Sequence, residues 1–365
     1  MLAFSKLRSL CSHPPTSFIF SLSSTPLPKV LTSINVSSSP LFYPKDSTQL
    51  FKRCGCNDAE ISKIFLRQPS LLKANVTILG SKLDILLGLG LTSSDLVKMI
   101  NCRPRFLNSK ISCDFDNRID FLQSLFGSKE GLLKAIVRNP SLLVYNLEKD
   151  IKRCVSSYEG LGISRKDLVP LLISRPMLIP RTSFNGEKLE YIHKTGLSNN
   201  SKMYKHIVTL IAISRLETIR EKVANLEKFG FSCDQVMVLF GRSPLLLTLS
   251  GDKVQRNMTF VIGTLNLPAT VVLQYPFLLL FNLESVLRPR FVVAEKIRTM
   301  CLHPQVKGLD LFRAFRMTEP RFFKAFITGQ SKDVTAELMK LYTKAKDIKI
   351  LAESSRTSPY KGFPF

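Results

Sequence analysis

Prolines followed by apolar residues recur through this chain at a nearly fixed interval: Pro69 (QPSLL), Pro104 (RPRFL), Pro140 (NPSLL), Pro176 (RPMLI), Pro244 (SPLLL) and Pro276 (YPFLLL). The gaps are 35, 36, 36, 68 and 32 residues, and 68 is twice 34, so one unit has lost its proline; HIVTLIAIS, ending at Ser214, sits in its phase. A second mark keeps the same period. Gly90, Gly127, Gly162 and Gly196 lead to Gly230 in steps of 37, 35, 34 and 34, and Asn266, the next-best residue for a left-handed conformation, follows 36 later. Proline stops a helix because it lacks the interior N–H and pushes its predecessor out of the helical region. Glycine ends one because it enters the left-handed C′ position without steric cost. Each unit therefore reads as a short helix, a proline break, one apolar turn and a longer helix closed by glycine.

A period of 20–50 residues specifies a solenoid, whose units bury their apolar stripes only against their neighbours. The expected fold is all-α, a superhelical solenoid of about seven to eight helical repeats of 32–37 residues, spanning 46–330. Short helices are expected to start at Asn57, Thr92–Asp95, Ser128, Ser164, Ser198 and Ser232, residue types that cap N-termini. Leu96, Met99 and Ile100, or Leu132, Leu133, Ile136 and Val137, carry the apolar stripe. A variant unit around Pro320 reads as a C-terminal cap, and 331–365 as one basic amphipathic helix, from about Val334 to Ala345, followed by a loose tail. Residues 1–45 contain no acid, four basic residues and fourteen Ser or Thr. That composition reads as an organelle transit peptide, with the amphipathic start MLAFSKLRSL favouring the mitochondrial matrix and the chloroplast stroma as the alternative.

The 52 basic and 28 acidic residues give a formal charge of +24. Self-repulsion on that scale points to a polyanionic partner, nucleic acid first. No stretch reaches the roughly 18 apolar residues of a membrane span, so no membrane association is expected, and a monomer is. The eight cysteines include no CxxC pair, and no histidine stands at zinc-ligand spacing from a cysteine pair; they read as small buried side chains and free thiols. No phosphate-binding glycine loop, HExxH or GxSxG occurs, so neither an enzyme nor a cofactor is expected.

Two sets of cations keep the period. Lys82, Arg118, Lys152 with Arg153, Lys188, Arg256, and Arg288 with Arg290 follow their prolines by 12 to 14 positions, and Lys222 holds the equivalent place in the unit without proline. Equal phase in a solenoid places such residues along one edge, where they can track a nucleic-acid backbone. Arg67, Arg103, Arg138, Arg175 and Arg242 precede the prolines and suit either helix capping or phosphate contact.

Tetratricopeptide repeats need a tryptophan, which this chain lacks, and the ankyrin TPLH is absent. The units Pro104-Arg-Phe-Leu, Pro140-Ser-Leu-Leu, Pro176-Met-Leu-Ile, Pro244-Leu-Leu-Leu and Pro276-Phe-Leu-Leu, with Leu89-Gly90-Leu91, Leu161-Gly162-Ile163 and Thr195-Gly196-Leu197 closing long helices, resemble the mitochondrial transcription termination factor (mTERF) family. The resemblance covers about 50–328. The leader and the segment RMTEPRFFKAFI are similar to the plant organellar branch. It implies a left-handed solenoid that binds double-stranded nucleic acid in a positive groove and regulates organelle transcription, by termination or related control. In some members it implies intron splicing or ribosome-related RNA work, so organellar DNA or RNA is the expected partner. A protein-interaction scaffold with an acidic partner is the alternative of another class.

Overall fold

The computed structural model describes residues 44–109, 115–306 and 308–354, and every regular element among them is helical. The expected leader lies outside the described residues except for its last two, and so does the tail beyond 354. Two compact units divide the chain, Met1–Tyr145 and Asn146–Phe365.

The first unit contains α1 (Ser47–Arg53), α2 (Asp58–Arg67), α3 (Val76–Gly88), α4 (Ser93–Cys102), α5 (Phe115–Phe126) and α6 (Lys129–Arg138). The short helices stack, α2 on α4 and α4 on α6. Each ends before a proline that opens a 3-10 turn: Pro69–Lys73, Pro104–Asn108 and Pro140–Leu143. The preceding residues Gln68, Arg103 and Asn139 hold ψ values of 76°, 66° and 79°, outside the helical region as a following proline demands. Proline itself stands where its missing N–H leaves no bond unmade.

The second unit repeats the plan with variations. A wide π turn (Leu147–Lys152) leads into α7 (Arg153–Gly160), followed by α8 (Arg165–Ser174), the single turn α9 (Leu178–Arg181) and α10 (Gly186–Lys194). Then come α11 (Tyr204–Ile213), α12 (Leu216–Glu227), α13 (Cys233–Arg242), the turn Pro244–Thr248, and α14 (Gly251–Thr259), which runs on into a π turn. Single turns α15 (Val271–Gln274) and α16 (Phe277–Leu280) flank Pro276, and α17 (Arg288–Thr299), α18 (Leu309–Arg316), α19 (Glu319–Phe326) and α20 (Lys332–Ser354) end the described chain. Val293, Ala294 and Ile297 of α17 form one core with Phe322, Phe326, Leu338 and Tyr342.

The glycine marks are left-handed, with φ of +103° at Gly90, +77° at Gly127, +79° at Gly162, +67° at Gly196 and +86° at Gly230, and Asn266 joins them at +52°. Gly55 and Cys301 are also left-handed and extend the period by 35 residues at either end. The N–H after such a residue reaches back five positions, as in Ile163 to Tyr158 (3.0 Å) and Leu302 to Ile297 (3.0 Å), closing the helix C-terminus.

Asn57, Thr92, Ser128, Ser164 and Ser232 cap short helices as expected. Ser198 does not, because α11 begins only at Tyr204. Asn75, Asn146, Asn185, Ser250 and Asn282 cap the starts of long helices or their π turns. Leu96, Met99, Ile100, Leu132 and Ile136 are buried, while Leu133 and Val137 are half-buried on the helix flank. Of the described cysteines, Cys54, Cys56 and Cys154 are buried thiols pushed up to about 11 by burial. Cys102 and Cys301 are exposed instead.

Two glycines separate backbone strain from crowding. A Cβ at Gly127 would meet nothing within 4 Å, whereas one at Gly162 would stand 2.4 Å from the Asn199 side-chain amide. Gly127→Ala should therefore cost about 1–2 kcal/mol from the left-handed backbone alone, and Gly162→Ala more. Thermal unfolding of the two variants checks the order.

Candidate nucleic-acid interface

The periodic cations divide by where their head groups go. Lys82 donates to the carbonyl of Leu107, Arg118 to Tyr145 at 2.6 Å, and Lys222 to Leu249. Lys188 donates to Ala212 at 2.9 Å and to the carbonyl and hydroxyl of Ser183 at 3.0 and 2.9 Å. Arg290 reaches three carbonyls, Ala314 and Phe315 at 2.8 Å and Met317 at 2.7 Å, with its guanidinium 5.1 Å above the Phe322 ring. Most of these acceptors lie 24 to 27 residues further along, in the turn that follows the short helix of the next repeat or in that helix's last turn. Each cation therefore satisfies carbonyls that a helix end or turn leaves without an intrahelical donor, at the pole where the dipole favours positive charge.

Arg118, Lys188 and Arg290 are 5%, 4% and 4% exposed. A phosphate cannot reach such head groups without opening the repeat stack, so the nucleic-acid contacts expected of these three are corrected to structural contacts. Lys82 and Lys222 are half-buried and engaged in the same way. Burial lowers the pKa of Lys82, Lys188 and Lys222, with Glu217 opposing the shift at Lys188.

Lys152 instead pairs with Glu148 at 2.6 Å on the surface, and Arg288 with Glu284 at 3.2 Å. Arg153 and Arg256 are exposed, and their side chains make no hydrogen bond or ion pair with described residues. In their repeats the inward place is taken by other side chains. Asn257 donates to Leu278, Leu279 and Phe281 at 2.6, 3.3 and 3.0 Å, helped by Lys253 to Leu280 at 2.5 Å. Cys154 is buried near Thr182, whose hydroxyl meets Tyr158 at 2.7 Å. One residue turns a helix by 100°, so a window of 12 to 14 positions mixes inward donors with outward cations.

The arginines before the prolines also reach forward. Arg67 donates to Asn101 at 2.6 Å, Arg242 to Leu273 at 2.8 Å and Arg175 to the Thr209 hydroxyl at 3.3 Å, tying each short helix to the next one. Arg103 is half-buried, and Arg138 is exposed.

Sequence spacing passed over a further group beside the starts of long helices. Lys149 and Arg215 are exposed and Arg181 half-buried, and none makes a side-chain hydrogen bond or ion pair with described residues. Their offsets from proline vary because the turns differ in length, so periodicity alone did not mark them. Arg181, Ile213, Ser214 and Arg215 line two adjoining concavities of about 300 and 390 Å³. No group of three or more His, Cys, Asp or Glu that could hold a metal occurs among the described residues, and no described helix is long and apolar enough to cross a membrane.

A repeated helix–turn–helix unit presenting outward cations defines a helical-repeat protein with a basic surface. Residues 48–179 and 112–322 match the mTERF family, in overlapping segments, and the chain belongs to it. Membership points to nucleic-acid binding and to the regulation of transcription. The chain is also similar to transcription termination factor MTERF8, chloroplastic, of Arabidopsis thaliana, at 16% identity over 212 residues. The match covers 58% of this chain and 41% of that relative's length.

The two roles separate experimentally. Lys188→Met should lower stability by about 2–4 kcal/mol, because the Ala212 and Ser183 oxygens lose a buried donor, whereas Arg256→Gln should stay within about 0.5 kcal/mol. The lysine also has a pH signature. Its folded pKa lies below the free value of 10.5, so the unfolded chain binds more protons in that window and parental stability rises with pH. The stability gap between parent and Lys188→Met should widen as pH climbs towards 10.5, measured by denaturant unfolding.

Proposed function

We propose that this protein binds double-stranded nucleic acid in an organelle and regulates transcription there, by termination or related control. The observation that carries the reading is the family membership together with a surplus of cations the fold does not use. Lys149, Arg153 and Arg256 project from the repeats of the second unit with no acidic partner among the described residues, in a chain of charge +24. Such side chains supply sequence-independent phosphate contacts, which set affinity and its salt dependence. The protein acts as a binding module and not as an enzyme, most simply as a monomer. The relative's chloroplastic name favours the stroma, and the basic amphipathic start Met1–Leu10 favours the mitochondrial matrix; import of a fluorescent fusion decides between them.

The test is fluorescence anisotropy against matched duplex DNA and single-stranded RNA at several salt concentrations. Duplex should bind more tightly, with log K falling by about 0.9 per phosphate contact for each decade of salt. Combined Lys149→Glu, Arg153→Glu and Arg256→Glu should weaken binding at least about tenfold while leaving the thermal midpoint in place. Full affinity in that folded variant would remove this surface, and RNA preference would move the protein to splicing or ribosome work.

A further inference from the structure

The fifth unit is where the chain departs from its own pattern. Elsewhere a proline turn separates the short helix from the long one: α13 ends at Arg242, and Pro244–Thr248 intervenes before α14 starts at Gly251. In the fifth unit α11 runs straight to Ile213 and α12 begins at Leu216, so only Ser214 and Arg215 join them. The turn that is missing would carry an apolar pair like Leu246 and Leu247, which are 3% and 4% exposed in their own repeat. Without it the corner is open, and the two concavities of about 300 and 390 Å³ meet there, sharing Arg181, Ile213, Ser214 and Arg215.

Arg181 and Arg215 both line this corner, one from the end of α9 and the other from the start of α12. Neither side chain has a hydrogen-bond or ion-pair partner among the described residues. The neighbouring lysines are committed, Lys188 to Ser183 and Ala212 and Lys222 to Leu249, so the two guanidinium groups are the cations of the corner without a partner among the described residues. Glu217 is the one acid lining it, on the side of the larger concavity. The first turn of α12 lines it as well, and no side chain caps those amides. Two arginines in a concavity of this size match the planar, bidentate recognition of phosphate.

We propose that the corner of the fifth repeat is a phosphate-binding site, held by Arg181 and Arg215, and that its occupant is a phosphate of the bound nucleic-acid backbone. The polymer assignment rests on the function proposed above; the phosphate chemistry does not. The loss of the proline turn thereby creates a contact inside a concavity, whereas Lys149, Arg153 and Arg256 of the other repeats are exposed.

The experiment compares parent and Arg181→Gln/Arg215→Gln in two titrations. Calorimetry with sodium pyrophosphate at constant ionic strength should show saturable binding to the parent and at least a tenfold loss in the variant. The duplex salt titration should give a slope less negative by about 0.9 in the variant, for one lost phosphate contact. Pyrophosphate binding lost with an unchanged duplex slope keeps the site and assigns it to a free phosphate ligand. Pyrophosphate binding without any duplex binding keeps the site and removes the proposed function. No saturable pyrophosphate binding together with an unchanged duplex slope overturns the site and leaves the proposed function standing. Neither guanidinium bonds to a described residue, so the thermal midpoint should hold; Arg215→Gln alone, on an exposed residue, carries the same comparison should the double variant unfold.

Discussion

A buried donor on one repeat reaching the carbonyls of the next repeat is the interaction on which the stacking depends. Apolar stripes hold neighbouring units together but do not fix their register, because a hydrophobic contact is indifferent to direction. The bonds of Lys82, Arg118, Lys188, Lys222, Asn257 and Arg290 do fix it, since each head group must meet one turn of the following unit. The proline turn supplies the acceptors, or the end of the short helix where no such turn follows, as at Ala212 and Ala314. The turn's short, tight geometry leaves carbonyls with no helical partner, and a cation is suited to them because they sit at a negative pole. Proline and cation therefore belong to one device, and their common period is a consequence of it.

The same device explains how much of this protein is legible in its sequence. The repeat, its length and its two helices can be read from proline and glycine because both act through the local backbone, and Asn266 confirms that the left-handed mark outlasts the glycine itself. Cys301 could not be recognised, since nothing in a cysteine signals positive φ. The cation period was equally visible, but its purpose was not. Arg290 and Arg256 look alike at one-residue resolution, yet one points into the stack with three carbonyls around it and the other into solvent. Direction around a helix changes by 100° per residue, and turn lengths that differ by a residue or two scramble it. Asn257 shows the complementary loss: a neutral amide fills the inward place, which a search for charge passes over.

Periodic charge in a helical repeat is therefore two populations with opposite demands. The inward donors must be desolvated and so stay few and engaged, and burial lowers the pKa of the lysines among them, Lys82, Lys188 and Lys222. The outward cations must stay solvated to exchange counterions with a polyanion, which is the property that gives nucleic-acid affinity its salt dependence. A chain with 52 basic residues and 28 acidic ones can satisfy both, because the stack engages only a small part of its positive charge. Net charge remains a sound pointer to the class of partner, while the identity of the contacting residues requires the direction of each side chain.

In the fifth repeat no proline turn separates the two populations. Lys188 still donates to Ala212, the carbonyl standing where a proline-turn carbonyl would be, so the register between units survives the loss of the proline. The filling of the corner does not survive it, because α11 continues to Ile213 where the apolar pair of a proline turn would otherwise stand. Register and packing are thus separable in this fold: the first is held by one polar donor, the second by the apolar pair of the turn. A repeat can give up the second without dislocating its neighbours, and it is at such a position that a solenoid has room to turn surface into a site.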